Sequence, residues 1–133
     1  MKIAFISTRN AVRSIMAEAI AKRVSKLALL APEIYSAGVK PAESVPEEVL
    51  SLLQKKGYST DNLYPKPVEA IPYEEIDILI TLSPEARDMC PYSISHKRRE
   101  HWVVEEPDSL KLEELEKTLL QIEKYMMDFF KIS

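Results

Sequence analysis

The chain begins with an apolar run, a polar stretch and a helical pattern in direct succession. Residues 2–6 are apolar enough for a short buried strand, and residues 15–21 have the spacing of a helix. The stretch between them, residues 7–14, contains no glycine and ends in Arg13 and Ser14. A strand that passes through such a loop into a helix N-terminus can direct several backbone amides at one anion. This succession predicts an oxyanion site at the start of the chain.

The rest of the chain continues the alternation of strands and helices. A capping box at Ser44–Glu47 predicts the start of a helix that ends near Lys56, with Gly57 at its C′ position. The alternation predicts one α/β domain over residues 1–133, a parallel sheet with helices on both faces. Ligands of such a sheet bind beyond the carboxyl ends of its strands. The other expected elements are strands over 2–6, 33–37, 76–82 and 101–104, helices over 14–28 and 109–132, a short helix near 68, and a loop or short helix over 84–91.

Charge and composition exclude several classes of protein. The net charge of −3 and the pI near 5.5 argue against a nucleic-acid partner. No apolar run approaches the roughly 20 residues of a membrane span, and the N-terminus has no signal-peptide pattern, so we expect a cytoplasmic protein without a membrane partner. The single cysteine, Cys90, excludes an internal disulfide or a cysteine-rich zinc site. We expect neither a metal nor an organic cofactor.

Two residues of the loop have distinct expected roles. Arg13 stands at the helix entry, where its planar guanidinium can clamp two oxygens of a phosphate or arsenate. Asn10 is the loop residue best suited to a left-handed backbone conformation, because the loop has no glycine. The predicted phosphate-binding residues are Ser7, Thr8, Arg9, Asn10, Ala11, Val12, Arg13 and Ser14.

The spacing S-x5-R-S, followed by Met16-Ala17-Glu18-Ala19 and later by Tyr35-Ser36-Ala37-Gly38, resembles a known family. It is similar to the C-x5-R-[ST] loop of low-molecular-weight protein tyrosine phosphatases and of the related thioredoxin-coupled arsenate reductases. The resemblance implies a four-stranded sheet of order 2-1-3-4 in a three-layer sandwich. It also implies hydrolysis of a phosphotyrosine protein or a small aryl phosphate through a cysteinyl-phosphate, with inorganic phosphate as a ligand. Ser14 would then steady the thiolate.

The nucleophilic cysteine of that family falls on Ser7, which is the main departure from the pattern. A serine hydroxyl stays neutral at pH 7 unless a base removes its proton, and neither His96 nor His101 has a spacing that identifies it as that base. Two explanations remain open. The chain is a natural pseudophosphatase that binds phosphate without hydrolysis, or an inactive Cys-to-Ser trapping form. We favour the trapping form, because the rest of the site is kept.

A second cluster of catalytic candidates lies in Glu105-Glu106-Pro107-Asp108. Hydrolysis of an aryl phosphate needs a proton for the leaving oxygen, which a carboxylic acid can supply. In the family this acid is an aspartate directly before a proline, a position that Glu106 occupies here. Asp108 is the alternative acid. A solvated helix N-terminus would also explain these carboxylates.

The run from Thr81-Leu82-Ser83 through Cys90-Pro91 to His101-Trp102 resembles the arsenate reductases most closely. Those enzymes relay a disulfide through three cysteines to thioredoxin. Their middle cysteine falls on Ser83, so only Cys90 remains here, as a redox thiol or as a buried apolar residue. Arsenate reduction, with thioredoxin as partner, is therefore the alternative function. Tyr64 and Tyr73 are candidate walls for a substrate ring, and Trp102 is expected in the core.

Overall fold

The computed structural model describes residues 1–27 and 31–131. In this part of the chain four strands alternate with four α-helices, and two short 3-10 turns precede the third strand. The strands are β1 (Lys2–Ser7), β2 (Glu33–Gly38), β3 (Ile78–Thr81) and β4 (Arg98–His101); the helices are α1 (Arg13–Leu27), α2 (Glu47–Lys55), α3 (Pro84–Met89) and α4 (Leu112–Phe130); the 3-10 turns are Val68–Ala70 and Tyr73–Glu75. None of the helices described combines the length and apolar character needed to cross a membrane.

The four strands form one parallel sheet in the order β2-β1-β3-β4, which confirms the predicted fold class. The register pairs Ser7 with Gly38 and Ile6 with Thr81, and Thr81 in turn pairs with His101. The carboxyl ends of all four strands therefore lie at one edge. The loop after β1 and the segment after β4 both start at this edge, as the sequence predicts.

Successive side chains of each strand point to opposite faces of the sheet, so the sheet has a separate core on each face. Phe5 and Ile80 face α1 and α4, where Trp102 is buried as expected. Ala4, Ile6 and Leu79 face the opposite way, with Ile76, Ala86 and Cys90. Because both faces are covered, β1 and β3 are apolar along almost their whole length.

The predicted bounds of the fourth strand are wrong. β4 covers Arg98–His101, whereas the sequence predicts residues 101–104. Trp102 still donates its N–H to the Thr81 carbonyl at 2.9 Å, but the chain then leaves the sheet. The Val104 carbonyl accepts a hydrogen bond from Arg13 instead of a strand partner. A contact with the first helix, which local patterning does not encode, ends the strand.

The helix termini also differ from the predictions. The capping box at Ser44–Glu47 does not form, because α2 begins at Glu47 with Pro46 as its N-cap and no side-chain cap. Gly57 confirms the predicted helix end, with φ 86°. β3 is shorter than its apolar run, and α4 begins at Leu112 instead of residue 109. The predicted ends at residues 28 and 132 lie outside the described residues.

Candidate active site

The polar stretch after β1 forms a tight loop over residues 8–12 that leads directly into α1. Asn10 has φ 51°, which confirms the predicted left-handed conformation. Among the described residues, the N–H groups of Thr8, Arg9, Ala11 and Val12 have no hydrogen-bond acceptor. Unpaired amides in succession at a helix N-terminus are the arrangement that binds anions in proteins.

The Asn10 side chain holds this loop in place from the inside. Asn10 is fully buried, and its amide nitrogen donates to Ser14 Oγ at 2.7 Å and to Ser36 Oγ at 3.0 Å. Its amide oxygen accepts the backbone N–H of Lys66 at 3.0 Å. One side chain therefore ties the loop to α1, to β2 and to the segment after α2. All its hydrogen-bonding groups are used, so the left-handed residue has little freedom to change conformation.

Ser7 lies at the end of β1 and is 3% exposed. Its Oγ lies 2.6 Å from Ser14 Oγ, and it accepts the Asn10 backbone N–H at 3.2 Å. Because Asn10 already donates to Ser14, the hydroxyl proton of Ser14 is available for Ser7 Oγ. Donors therefore surround the oxygen of residue 7, which suits an atom that carries or shares negative charge.

Arg13 begins α1 and is also buried, at 8% exposure. Its Nη1 donates to the carbonyls of Leu82 and Val104, both at 3.1 Å, which fixes the guanidinium between β3 and the segment after β4. Its Nε and Nη2 have no hydrogen-bond partner in the described residues, yet neither is sealed from solvent. Burial lowers the pKa of Arg13, and the charge of Glu106 opposes that effect. A fixed fork with two open donors is suited to bind an oxyanion.

Residues 38–42 lie against the outside of the loop. The N–H groups of Val39, Lys40 and Ala42 donate to the carbonyls of residues 7, 8 and 9 at 3.2, 2.7 and 2.9 Å. Gly38 approaches so closely that an added Cβ would lie 3.0 Å from backbone atoms of Arg9 and Asn10. These carbonyls are thereby turned outward, which leaves the amides of the loop facing inward.

The two candidate acids are placed differently with respect to Arg13. Glu106 and Asp108 are both exposed, in a segment without regular secondary structure between β4 and α4. Only Glu106 acts on the charge of Arg13. Which of the two carboxylates is the general acid stays a prediction, with Glu106 ahead of Asp108.

Neither histidine contacts Ser7. His101 Nδ1 lies 2.8 Å from Thr81 Oγ1, and His96 Nε2 lies 3.1 Å from the Tyr73 carbonyl. Burial and the nearby Arg87 lower the pKa of His101. In the described part of the chain, Ser7 Oγ therefore has hydrogen-bond donors as neighbours and no base to take its proton.

Ser83 and Cys90, the two positions compared above with the relay cysteines of arsenate reductases, lie at opposite ends of α3. Ser83 is the N-cap, accepts the Ala86 N–H, and receives a hydrogen bond from Thr8 Oγ1 at 2.9 Å, so it touches the loop. Cys90 is the C-cap on the other side and is 7% exposed. Burial raises the pKa of its thiol, against smaller effects of Tyr73 and Arg99. Cys90 is thus a packed core residue next to a cavity of about 300 Å³.

The tyrosines proposed as substrate walls are only partly placed as expected. Tyr73 donates its hydroxyl to the Pro91 carbonyl at 2.5 Å and packs edge-on against His96, beside Cys90. Tyr64 is exposed, with the Lys66 ammonium 4.5 Å from its ring centre. Tyr73 therefore belongs to the cavity beside Cys90, while Tyr64 stays a candidate.

The sequence analysis assigned no role at the site to Glu18, Ser36 or Lys66, although Glu18 and Ser36 are among the residues of the resemblance. Glu18 is 4% exposed, and its Oε1 accepts the Ser36 hydroxyl at 2.5 Å. Glu18 follows Ser14 by one helical turn, so a charged residue on the buried stripe of α1 was the available signal. Lys66 comes from a proline-rich stretch without periodicity, and nothing in the sequence identifies it.

Comparison with known proteins bears on this site. The family profile described as low molecular weight phosphotyrosine protein phosphatase matches residues 2–132. A putative arsenate reductase from Halobacterium salinarum is 27% identical over 131 residues, which are 97% of this chain and 90% of that protein. An arsenate reductase from Bacillus subtilis is 31% identical over 107 residues, 79% of this chain and 73% of that protein.

Solved structures show the same architecture. The low molecular weight protein tyrosine phosphatase from T. tengcongensis superposes with a TM-score of 0.84 at 23% identity, covering 98% of each chain. At that identity the similarity concerns the fold, a four-stranded parallel α/β sheet with helices around it.

Proposed function

This chain belongs to the low molecular weight phosphotyrosine protein phosphatase family, which includes arsenate reductases, and we propose that it binds phosphate or a similar tetrahedral oxyanion without turning it over. The binding residues are those of the loop, Ser7–Ser14. The observation that carries the proposal is the set of unpaired donors around the loop, which includes the backbone amides of Thr8, Arg9, Ala11 and Val12 and two nitrogens of Arg13.

Ser7 acts in this proposal as a hydrogen-bond donor and not as a nucleophile. Its oxygen already receives the Asn10 N–H and faces the Ser14 hydroxyl, which leaves its own proton for an oxygen of the ligand. In a relative with a thiolate at this position, the sulfur charge would repel a phosphate dianion. A neutral serine removes that repulsion and keeps the donors. Binding without chemistry is the result.

Calorimetric titration with phosphate, and with vanadate as a second anion, tests this proposal. We expect binding in the millimolar range or tighter. Arg13→Ala should weaken it at least tenfold, because hydrogen bonds to a charged group contribute about 1.5–3 kcal/mol. Arg87→Ala is the matched control, since Arg87 is an exposed arginine of α3. Absence of binding, or equal affinity in the Arg13 variant, would overturn the proposal.

The chemistry that this scaffold would support with cysteine at position 7 is hydrolysis of an aryl phosphate. The thiolate would attack phosphorus in line, the amides and Arg13 would hold the equatorial oxygens, and Glu106 would protonate the leaving oxygen. Water would then release phosphate from the cysteinyl-phosphate. We expect Ser7→Cys to hydrolyse p-nitrophenyl phosphate, while the parent chain does not. An inert Ser7→Cys protein would reject the phosphatase proposal.

Arsenate reduction is the second candidate, and the names of the relatives favour it. It needs a thiol at position 83, whose serine touches the loop through Thr8, and a third thiol at Cys90. We therefore expect Ser7→Cys alone to lack thioredoxin-coupled arsenate turnover. The double variant Ser7→Cys/Ser83→Cys tests whether the missing relay thiol is the cause. Turnover in the single variant, abolished by Cys90→Ser, would contradict the role assigned to Ser83.

A further inference from the structure

Lys66 lies behind the anion loop, and both its backbone and its side chain contribute to the buried network. Its N–H donates to Asn10 Oδ1 at 3.0 Å. Its ammonium donates to the carbonyls of Tyr64 at 2.9 Å and Ser36 at 3.2 Å, with the side chain 13% exposed. Two backbone carbonyls and a nearby carboxylate thus surround a cation that is almost removed from solvent.

That carboxylate belongs to Glu18, whose side chain is 5% exposed. Its Oε1 lies 3.9 Å from the Lys66 ammonium, and its Oε2 receives the Lys22 ammonium at 2.6 Å. The same Oε1 accepts the Ser36 hydroxyl, so Ser36 Oγ is left to accept from Asn10. An ionised Glu18 therefore fixes the direction of two hydrogen bonds: Ser36 donates to Glu18, and Asn10 donates to Ser36.

We infer that Lys66 is a positioning residue for the anion loop: its ammonium balances the buried charge of Glu18 and keeps Asn10 in its left-handed conformation, so that oxyanion affinity depends on a cation that does not touch the ligand. The inference rests on the proposed oxyanion-binding function. It assigns the positioning of the loop to a residue that lies outside both the loop, residues 7–14, and the candidate acids Glu106 and Asp108.

Two physical reasons make the charge of Lys66 important. A buried carboxylate one helical turn from Ser14 would repel an anion bound at the loop unless cations compensate it, because charges interact strongly in a low dielectric. The ammonium also donates to the Ser36 carbonyl of β2 and to the Tyr64 carbonyl of the segment after α2, for which no other donor is seen in the described residues. Burial lowers the pKa of Lys66 and Glu18 raises it, so the pair opposes loss of the proton.

Phosphate titration of Lys66→Met, Lys66→Arg and the parent tests the inference. Methionine has nearly the length of lysine without its charge, and we expect a roughly tenfold loss of phosphate affinity. Arginine restores a cation, and we expect affinity within about threefold of the parent. Ammonium chloride added to Lys66→Ala should restore binding, whereas tetramethylammonium chloride at equal ionic strength should not. Lys117→Met, on the exposed face of α4, controls for the change in net charge.

A second measurement separates this inference from the proposed function. The side-chain amide resonances of Asn10 in ligand-free protein should shift in Lys66→Met and return toward the parent position in Lys66→Arg. That readout holds even if the parent binds no phosphate. Unchanged resonances and affinity in Lys66→Met, or a loss that neither arginine nor ammonium reverses, would overturn the inference. If Lys66→Met does not fold, Glu18→Gln tests the same contact, and unchanged Asn10 resonances there would overturn it as well.

Discussion

The anion loop, residues 7–14, and the acid segment, residues 103–108, meet at one edge of the sheet but are held in opposite ways. In the loop, Ser7, Asn10, Arg13 and Ser14 are all buried. Hydrogen bonds of 2.6–3.2 Å join Ser7, Asn10 and Ser14, and Arg13 donates to two carbonyls outside the loop, both at 3.1 Å. In the acid segment, Glu105, Glu106 and Asp108 are exposed, and fixed contacts are confined to the neighbourhood of residues 103 and 104. The buried loop is suited to hold an anion in a fixed position, and the exposed segment is suited to move toward a bound ligand.

The loop is ordered without sulfur at position 7. Its hydrogen bonds come from Asn10 and the residues behind it, from the segment after β2, from Ser83, and from the two carbonyls that Arg13 contacts. None of these contacts requires a thiol. In the proposed chemistry, the acid segment has to approach a leaving group, which a carboxylate fixed in a hydrogen-bond network could not do. The proposed function follows from the ordered loop alone: the chain binds the anion and does not turn it over.

The largest expected effect lies in the acid segment, once a nucleophile is supplied. In the Ser7→Cys background, Glu106→Gln should slow hydrolysis of p-nitrophenyl phosphate by roughly 10²–10⁴-fold, the range of a general acid. Asp108→Asn in the same background is the control and should change the rate less than about threefold. Steady-state kinetics across pH measure both variants. A larger effect of Asp108→Asn would show that the acid is assigned to the wrong residue.

The next effect lies in the network behind the loop. Asn10→Ala removes the hydrogen bonds to Ser14 and Ser36, each of which contributes about 0.5–1.5 kcal/mol, and leaves the Lys66 N–H without its acceptor, at about 1–3 kcal/mol. We expect a loss near 3 kcal/mol in the free energy of unfolding, measured by urea denaturation, and weaker phosphate binding.

Asn62→Ala is the matched control for that substitution. Asn62 also has a positive φ, 61°, but it is exposed in a turn. The strain of alanine in this backbone region is then common to both variants, and the difference reports the network alone. Equal losses in the two variants would mean that the hydrogen bonds of Asn10 do not order the loop.

A smaller effect is expected where β2 passes the loop. A Cβ on Gly38 would meet backbone atoms that cannot move cheaply, so Gly38→Ala should shift the loop and destabilise the protein by about 1–3 kcal/mol. Phosphate affinity should fall several-fold in the same titration. Gly57→Ala, where the added atom meets the flexible end of Arg23, should lower stability through its φ of 86° and leave affinity unchanged. Unchanged phosphate affinity in both variants would mean that the close contact between Gly38 and the loop does not affect anion binding.

The smallest effect concerns the remaining thiol. Burial raises the pKa of Cys90, so less thiolate is present at pH 8 than in free cysteine, and alkylation by iodoacetamide should be slower in native protein. Because folding favours the neutral thiol, the free energy of unfolding should decrease as the pH rises above the pKa that Cys90 has in the unfolded chain. Urea should restore the ordinary alkylation rate. Native alkylation as fast as in urea would identify Cys90 as a reactive thiol.

Local chemistry explains which parts of the site could be predicted from the sequence. Asn10 was identified because a tight loop without glycine needs a residue that tolerates positive φ. The placement of Ser14 beside residue 7 was implied by the resemblance to the family, and the two hydroxyl oxygens lie 2.6 Å apart. Lys66 and Ser36 could not be found in this way, because they contact Asn10 across 56 and 26 positions of the chain.

The sequence by itself determined the order of strands and helices, the place of the anion loop between β1 and α1, and the presence of a serine where the loop begins. These depend on periodicity and on residue types at short spacing. Only the tertiary structure decided that β4 ends at His101, that Arg13 donates to the carbonyls of Leu82 and Val104, and that Glu18 and Lys66 lie behind the loop. Each of those results is a contact between distant segments, and its energy depends on burial that no local pattern encodes.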